Sequence, residues 1–241
     1  MDYLLDFSPL VIVALAAAVH ASFQLSLSMM TIMSGHALGK KSAHKRVLKL
    51  LFSFTSGAGI LTMLFLSSIA LLFSLLFTSS IPAIVWVIAC GLSIGIGVAT
   101  WAFYYRHKQP GTVLWLPRPI AEYLHKRCKS TKQSAEAFGL GMSSVIGELV
   151  FIIAPLSIAA LILIELDPLS QILGILLYSI IAIMPLLIIA IMIGGGHSLS
   201  RIQKWREQSK QFLQFIAGSA LIVIGSYLYV TIVLAHLEIV R

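Results

Sequence analysis

Six stretches of this chain are long and apolar: Leu10–Met33, Val47–Phe77, Ile81–Tyr105, Ala137–Ile164, Leu169–Gly194 and Phe212–Leu234. A helix needs roughly 20 mostly apolar residues to cross about 30 Å of hydrocarbon, so each stretch can span a bilayer. None alternates with the period of two that an outer-membrane strand requires. Several end at polar or glycine-rich clusters, such as Ser34-Gly35-His36 and Gly194-Gly195-Gly196-His197. The second is longer than a span requires and is expected to tilt or to extend past the membrane. Composition agrees: 59% of residues are hydrophobic, 11% are charged and mean hydropathy is +0.96. A soluble domain carries about 25% charged residues, which excludes a water-soluble enzyme; the abundance of apolar residues excludes disorder. Two cysteines, Cys90 and Cys128, cannot form a disulfide framework. The expected fold is an all-α integral membrane protein with six transmembrane helices.

The charges set the expected topology. Asp2 and Asp6 precede the first stretch, and Lys40, Lys41, Lys45 and Arg46 follow it. A cleavable signal peptide has the opposite polarity, so this reads as a retained helix with its N-terminus outside. Of the 17 Lys and Arg, five (Lys40 to Lys49) lie between stretches one and two. Seven, from Arg106 to Lys132, lie between three and four, and four, from Arg201 to Lys210, between five and six. The opposite connections hold Thr78-Ser79-Ser80 and the acidic Glu165 and Asp167. The positive-inside rule then puts both termini outside a cytoplasmic (inner) membrane and the three basic connections inside the cell. The net charge of +8 is thereby a topological signal suited to anionic lipid, and nucleic acid is not an expected partner. Trp101, Tyr104 and Tyr105, just before Arg106, read as an interfacial aromatic belt. Between Arg106 and Glu136, Pro119 could start a short helix with Ile120, Tyr123 and Leu124 on one face, followed by Lys126, Arg127 and Lys129. That segment is either an interfacial helix or a solvated loop.

The two blocks of three stretches show self-similarity. Residues 88–97, IACGLSIGIG, lie over residues 216–225, IAGSALIVIG, with five of ten positions identical. An odd number of spans per block makes such halves inverted, an arrangement found in transporters with sites near the midplane. The chain reads as a single membrane domain, 1–241, with repeat one at about 8–106, a cytoplasmic loop at 107–136 and repeat two at about 137–238.

Against this apolar background a few polar residues stand out. Glu148 lies near the middle of the fourth stretch. A carboxylate there costs from about 3 kcal/mol to far more, and is met by a retained proton, a partner or a water-filled cavity. It reads as a proton relay or cation ligand, or as a protonated acid bonded to a neighbouring helix. His20, near the middle of the first stretch, is its natural partner, because stretches one and four correspond if the blocks do. Ser22 and Gln24 follow, Gln24 one helical turn from His20, as candidate ligand contacts or interhelical hydrogen bonds. Pro155 and Pro185 free backbone carbonyls, which serve a substrate pathway or simply a packing kink. Small residues, in Ser56-Gly57-Ala58-Gly59, Gly91-x-x-x-Gly95 and Gly139-x-Gly141, should let helices approach closely. Ser34 to Lys41 lacks the spacing and preceding strand of a phosphate loop. The seven histidines show no metal-ligand spacing. No catalytic residue and no cofactor is expected, and any metal is unknown.

Gly139-Leu140-Gly141-Met142, Tyr178 with Met184-Pro185-Leu186-Leu187, Ser200-Arg201 with Trp205-Arg206, and the run Phe215 to Gly225 resemble the transmembrane domain of the cytochrome c biogenesis protein CcdA and its relative DsbD. These belong to the wider LysE-like transporter superfamily. The resemblance covers residues 137–230 well and residues 8–105 by span order only. It implies two inverted triplets of helices with both ends outside. That family carries electrons with one cysteine in span one and one in span four, each beside proline. Here those regions read His20-Ala21-Ser22 and Gly147-Glu148-Leu149. Thiol–disulfide transfer needs two thiols, so that activity is not carried over and no enzyme is expected. Other branches export amino acids or metal ions. The resemblance thus implies a secondary transporter or exporter of a small solute or cation, with Glu148 and His20 where the reactive pair would be. The alternatives are a non-transporting membrane scaffold or subunit, and a redox-carrier remnant using Cys90 or Cys128 with a partner's thiols. Expected partners are the lipid bilayer and an unknown small solute or ion, with a second copy or another membrane protein as further candidates.

Overall fold

Hydrocarbon offers no hydrogen-bonding partner, so an apolar stretch must satisfy its own backbone, and a helix does so within one segment. The computed structural model describes residues 9–22, 25–37, 44–78, 80–106, 118–195 and 199–235, and every regular element among them is helical. In chain order these are α1 (Pro9–Ser22), α2 (Leu25–Ala37), α3 (His44–Leu76), α4 (Ala83–Arg106), α5 (Arg118–Ser130), α6 (Ser134–Leu163), α7 (Pro168–Gly194) and α8 (Leu199–Leu228). The last continues as a π-helical turn over Tyr229–Leu234.

Helices α3, α4, α6, α7 and the later part of α8, from Phe212, are each long and apolar enough to cross a membrane. The first apolar stretch is not the single helix expected. It is two helices, α1 and α2, whose directions differ by 49° and which reach spanning length only as a pair. A break leaves the last carbonyls of α1 and the first N–H groups of α2 without intrahelical partners. Ser22 deals with the former, its hydroxyl donating to the Val19 carbonyl at 2.7 Å.

Helix α6 is the core of the bundle. Two-thirds of its apolar window is buried (67%), against 17% for α3, whose remaining surface is left for lipid. Helix α3 packs most extensively on α6, α4 on α8, α7 on α3 and α1, and α1 on α6. Each of these pairs joins one half of the chain to the other. Pairs inside a half, α2 with α3 and α6 with α7, touch far less. The α3–α6 crossing is set by glycine: a Cβ on Gly57 would collide with the Phe138 carbonyl, and one on Gly141 with the Phe54 carbonyl. At the α4–α8 crossing a Cβ on Gly97 would sit 2.7 Å from the Gly218 carbonyl, and one on Gly225 3.0 Å from the Cys90 carbonyl. The expected Gly91, Gly95 and Gly139 are not the ones used. They face open space, because only one side of each helix meets a neighbour.

The ends carry their own logic. Asp167 caps α7, accepting a hydrogen bond from Ser170 N at 3.0 Å, with Pro168 next in the first turn. Those bonds from Ser170 hold its carboxyl below the usual carboxylate range. At the opposite end of the bundle, α5 packs on α2 and α6 through Leu124 and Cys128, both buried. Tyr123 is exposed, and the Arg127 guanidinium lies 5.8 Å from its ring centre. The expected short helix is formed, and of its expected face Leu124 docks on protein while Tyr123 does not. The side chain of Ile120 lies outside the described residues, as do those of Tyr104 and Tyr105. Trp101 stacks on Phe215, with ring centres 5.6 Å apart and planes 7° from parallel, and donates from Nε1 to the Phe215 carbonyl.

Candidate functional site

The bend in the first span meets Glu148 from α6. The Glu148 side chain is 2% exposed, and its Oε1 accepts from the Ser26 backbone N–H at 2.7 Å. Ser26 is the second residue of α2, so this N–H has no carbonyl of its own helix to bond. A carboxyl group at a helix N-terminus also meets the positive end of the helix dipole. Glu148 thus caps α2 from a different helix. The Ser26 hydroxyl stands 2.8 Å from the same Oε1 and 2.9 Å from Ser144 Oγ, one turn earlier on α6. The Ser144 hydroxyl lies 2.6 Å from the Gly141 carbonyl.

On the α1 side of the break, His20 is 4% exposed. Its Nδ1 lies 3.1 Å from the hydroxyl of Tyr178 on α7, and the rings are tilted at 58° with centres 5.6 Å apart. His20, Glu148, Ser26 and Thr62 supply the polar wall of one small cavity, and apolar residues of α3, α6 and α7 supply the rest. Its volume is about 10 Å³, the scale of a single water molecule. The Thr62 side chain is 1% exposed, and among the described residues its hydroxyl has no hydrogen-bond partner. A buried hydroxyl without a partner is costly, so this one is suited to an occupant of the cavity.

Sequence reasoning paired His20 with Glu148, and both line this cavity. Ser22 turns back onto its own helix instead. Pro155 and Pro185 sit inside the continuous helices α6 and α7, away from the cavity wall. Gln24 lies outside the described residues. Ser26, Ser144, Thr62 and Tyr178 are not among the site residues read from the sequence. The four-residue spacing of Ser144 and Glu148 places them on one helix face and could have been read. Tyr178 pairs with His20 across 158 positions, a relation that no local pattern carries. Among the described residues no three His, Cys, Asp or Glu come together as metal ligands. Comparison with protein-family models, with curated proteins and with solved structures finds no match to this chain.

Proposed function

We propose that this chain is a secondary transporter of the cytoplasmic membrane, moving a small solute or cation past a site between His20 and Glu148. The observation that carries the reading is a broken span whose new helix N-terminus meets a buried carboxyl at a polar cavity. Discontinuous helices that aim their ends at a midplane site are a device of transporters.

Two inverted repeats also fit this reading. The alignment of Ile88 with Ile216 is a displacement of 128 residues. Gly97 abuts Gly218, Leu221 and Ile222, while Gly225 abuts Cys90, Ser93 and Ile94. Moving every member of the first set by 128 positions, in the appropriate direction, yields the second. Ser93 donates to the Leu221 carbonyl at 2.9 Å, its own counterpart under the same displacement. Reciprocal contacts of this kind are what a two-fold relation between the halves would give, and they support this reading. The same displacement carries His20 to Glu148 and Ala58 to Leu186, all four of which line the cavity. In this reading the basic connections face the cytoplasm and both termini face outward.

The small size of the cavity favours either a closed state of the carrier or the second reading, a scaffold that binds another membrane protein. Redox transfer has less support. Cys90 and Cys128 are both buried free thiols, and burial pushes that of Cys128 up to about 12, which leaves little thiolate for attack. The deciding experiment is flux into proteoliposomes of the purified full chain, with radiolabelled amino acids, sodium and protons as probes. Movement of at least one probe, abolished by Glu148→Gln, is the expected result. If none moves, or the flux survives that substitution, the transporter reading fails and the scaffold replaces it.

A further inference from the structure

We propose that the ion handled at this site is the proton, held by Glu148 and passed along the series Tyr178, His20, the cavity, Glu148, Ser26 and Ser144; this rests on the transporter reading above. The argument starts from a count of protons. Three oxygen–oxygen contacts run in series: Glu148 Oε1 to Ser26 Oγ, Ser26 Oγ to Ser144 Oγ, and Ser144 Oγ to the Gly141 carbonyl, at 2.8, 2.9 and 2.6 Å. Each needs one proton to be attractive. Two hydroxyls supply two, and the Gly141 carbonyl supplies none. The third can come from the carboxyl of Glu148. With Glu148 protonated at Oε1, it donates to Ser26, Ser26 donates to Ser144, and Ser144 donates to Gly141. The Ser26 N–H still finds a lone pair on Oε1.

The surroundings point the same way. Among the described residues lining the cavity only Glu148 and His20 titrate. Helix α2 contributes Ser26, α3 contributes Ala58 and Thr62, and α7 contributes only apolar side chains. Tyr178, also from α7, stands behind His20. Among their described residues, helices α4 and α8 contribute none to the lining. One carboxyl balances one positive charge, and a divalent ion would leave charge uncompensated in a medium of low dielectric. About 10 Å³ leaves no space for an amino acid. It leaves room for one water bridging Glu148 to His20, with the Thr62 hydroxyl as a further partner.

The transfer balances. A proton leaving Glu148 passes through that water to His20, which becomes imidazolium facing the Tyr178 oxygen, and Glu148 becomes a carboxylate. In the other direction Ser26 reprotonates Glu148, and Ser144 reprotonates Ser26 once its hydroxyl turns from the Gly141 carbonyl. A hydronium ion arriving on that side restores Ser144 and is left as water. At the far end Tyr178 gives its hydroxyl proton to water as it takes the one from His20 Nδ1, so no group gains or loses more than one. Ser26 and Ser144 lead toward the end of the bundle that carries Ser134, while His20 and Tyr178 lie on the α1 side of the break.

Infrared difference spectroscopy of the full chain in lipid nanodiscs tests this without a known solute. At neutral pH a protonated-carboxyl band is expected that shifts in deuterium oxide. It should vanish in Glu148→Gln, move in Ser144→Ala and remain when choline replaces sodium. In the flux assay Ser144→Ala and Tyr178→Phe should slow proton movement by roughly a hundredfold or more, as for loss of a positioned proton donor. A missing band, or one that sodium abolishes, overturns the proton assignment and leaves a sodium-binding carboxylate within the same transporter. An intact band with unaltered flux in both variants overturns the route. An intact band with no flux of any probe leaves a protonated Glu148 but ends the transporter reading.

Discussion

At the scale of single residues, the centre of the molecule is governed by groups that need partners. Ser26 offers its N–H to one carboxyl oxygen of Glu148, against which its hydroxyl oxygen also stands, and removing that oxygen leaves a buried donor unmet. Glu148→Leu should therefore cost about 1–3 kcal/mol, whereas Glu148→Gln retains an acceptor and should cost less. Tyr178→Phe deletes only the bond to His20 and should cost about 0.6 kcal/mol, near the mean for a hydrogen bond between membrane helices. Unfolding in bicelles measures all three, and equal stability of the Leu and Gln variants would sink the capping argument. Glu148 and His20 were legible because each interrupts a long apolar run. Their partners were not. A serine or tyrosine in a span is common, and only tertiary packing decides which of them meets the carboxyl or the imidazole.

At the scale of elements, five spans follow from apolar length alone, while the sixth shows what length omits. Residues 22–26, SFQLS, contain neither proline nor glycine, so nothing local marks the break between α1 and α2. The break is stabilised from outside, by a carboxyl that lies 122 positions away from Ser26. Glycines raise the same problem in another form. A glycine shows that a helix can be approached closely, but the rotation of the helix decides whether anything approaches. Gly141→Leu should drive the Phe54 carbonyl away and cost about 3 kcal/mol, the top of the range for overpacking. Gly139→Leu, two residues earlier and facing open space, should stay within about 0.5 kcal/mol of the native chain. Comparable losses in the two variants would mean that the α3–α6 crossing is not where the structure has it.

At the scale of the whole molecule, what was most legible is the distribution of charge, and what was least legible is how the halves interlock. The principal helix pairs join the first triplet to the second, a pattern visible only once the chain is folded. Arg46, near the start of α3, donates to the carbonyl of Lys132, just after α5, so these basic residues share one end of the bundle, and Asp167, between α6 and α7, lies at the other. If charge orients the chain, these ends face opposite sides of the membrane. Ser80 and Ser130 are exposed at the two ends, and the native thiols Cys90 and Cys128 are buried, so a single introduced cysteine can report each side. In intact cells Ser80→Cys should react with a membrane-impermeant maleimide, and Ser130→Cys should react only after permeabilisation. The reverse pattern would invert the chain in the membrane. It would also turn the Ser26–Ser144 branch toward the outside, and with it the direction from which Glu148 receives its proton.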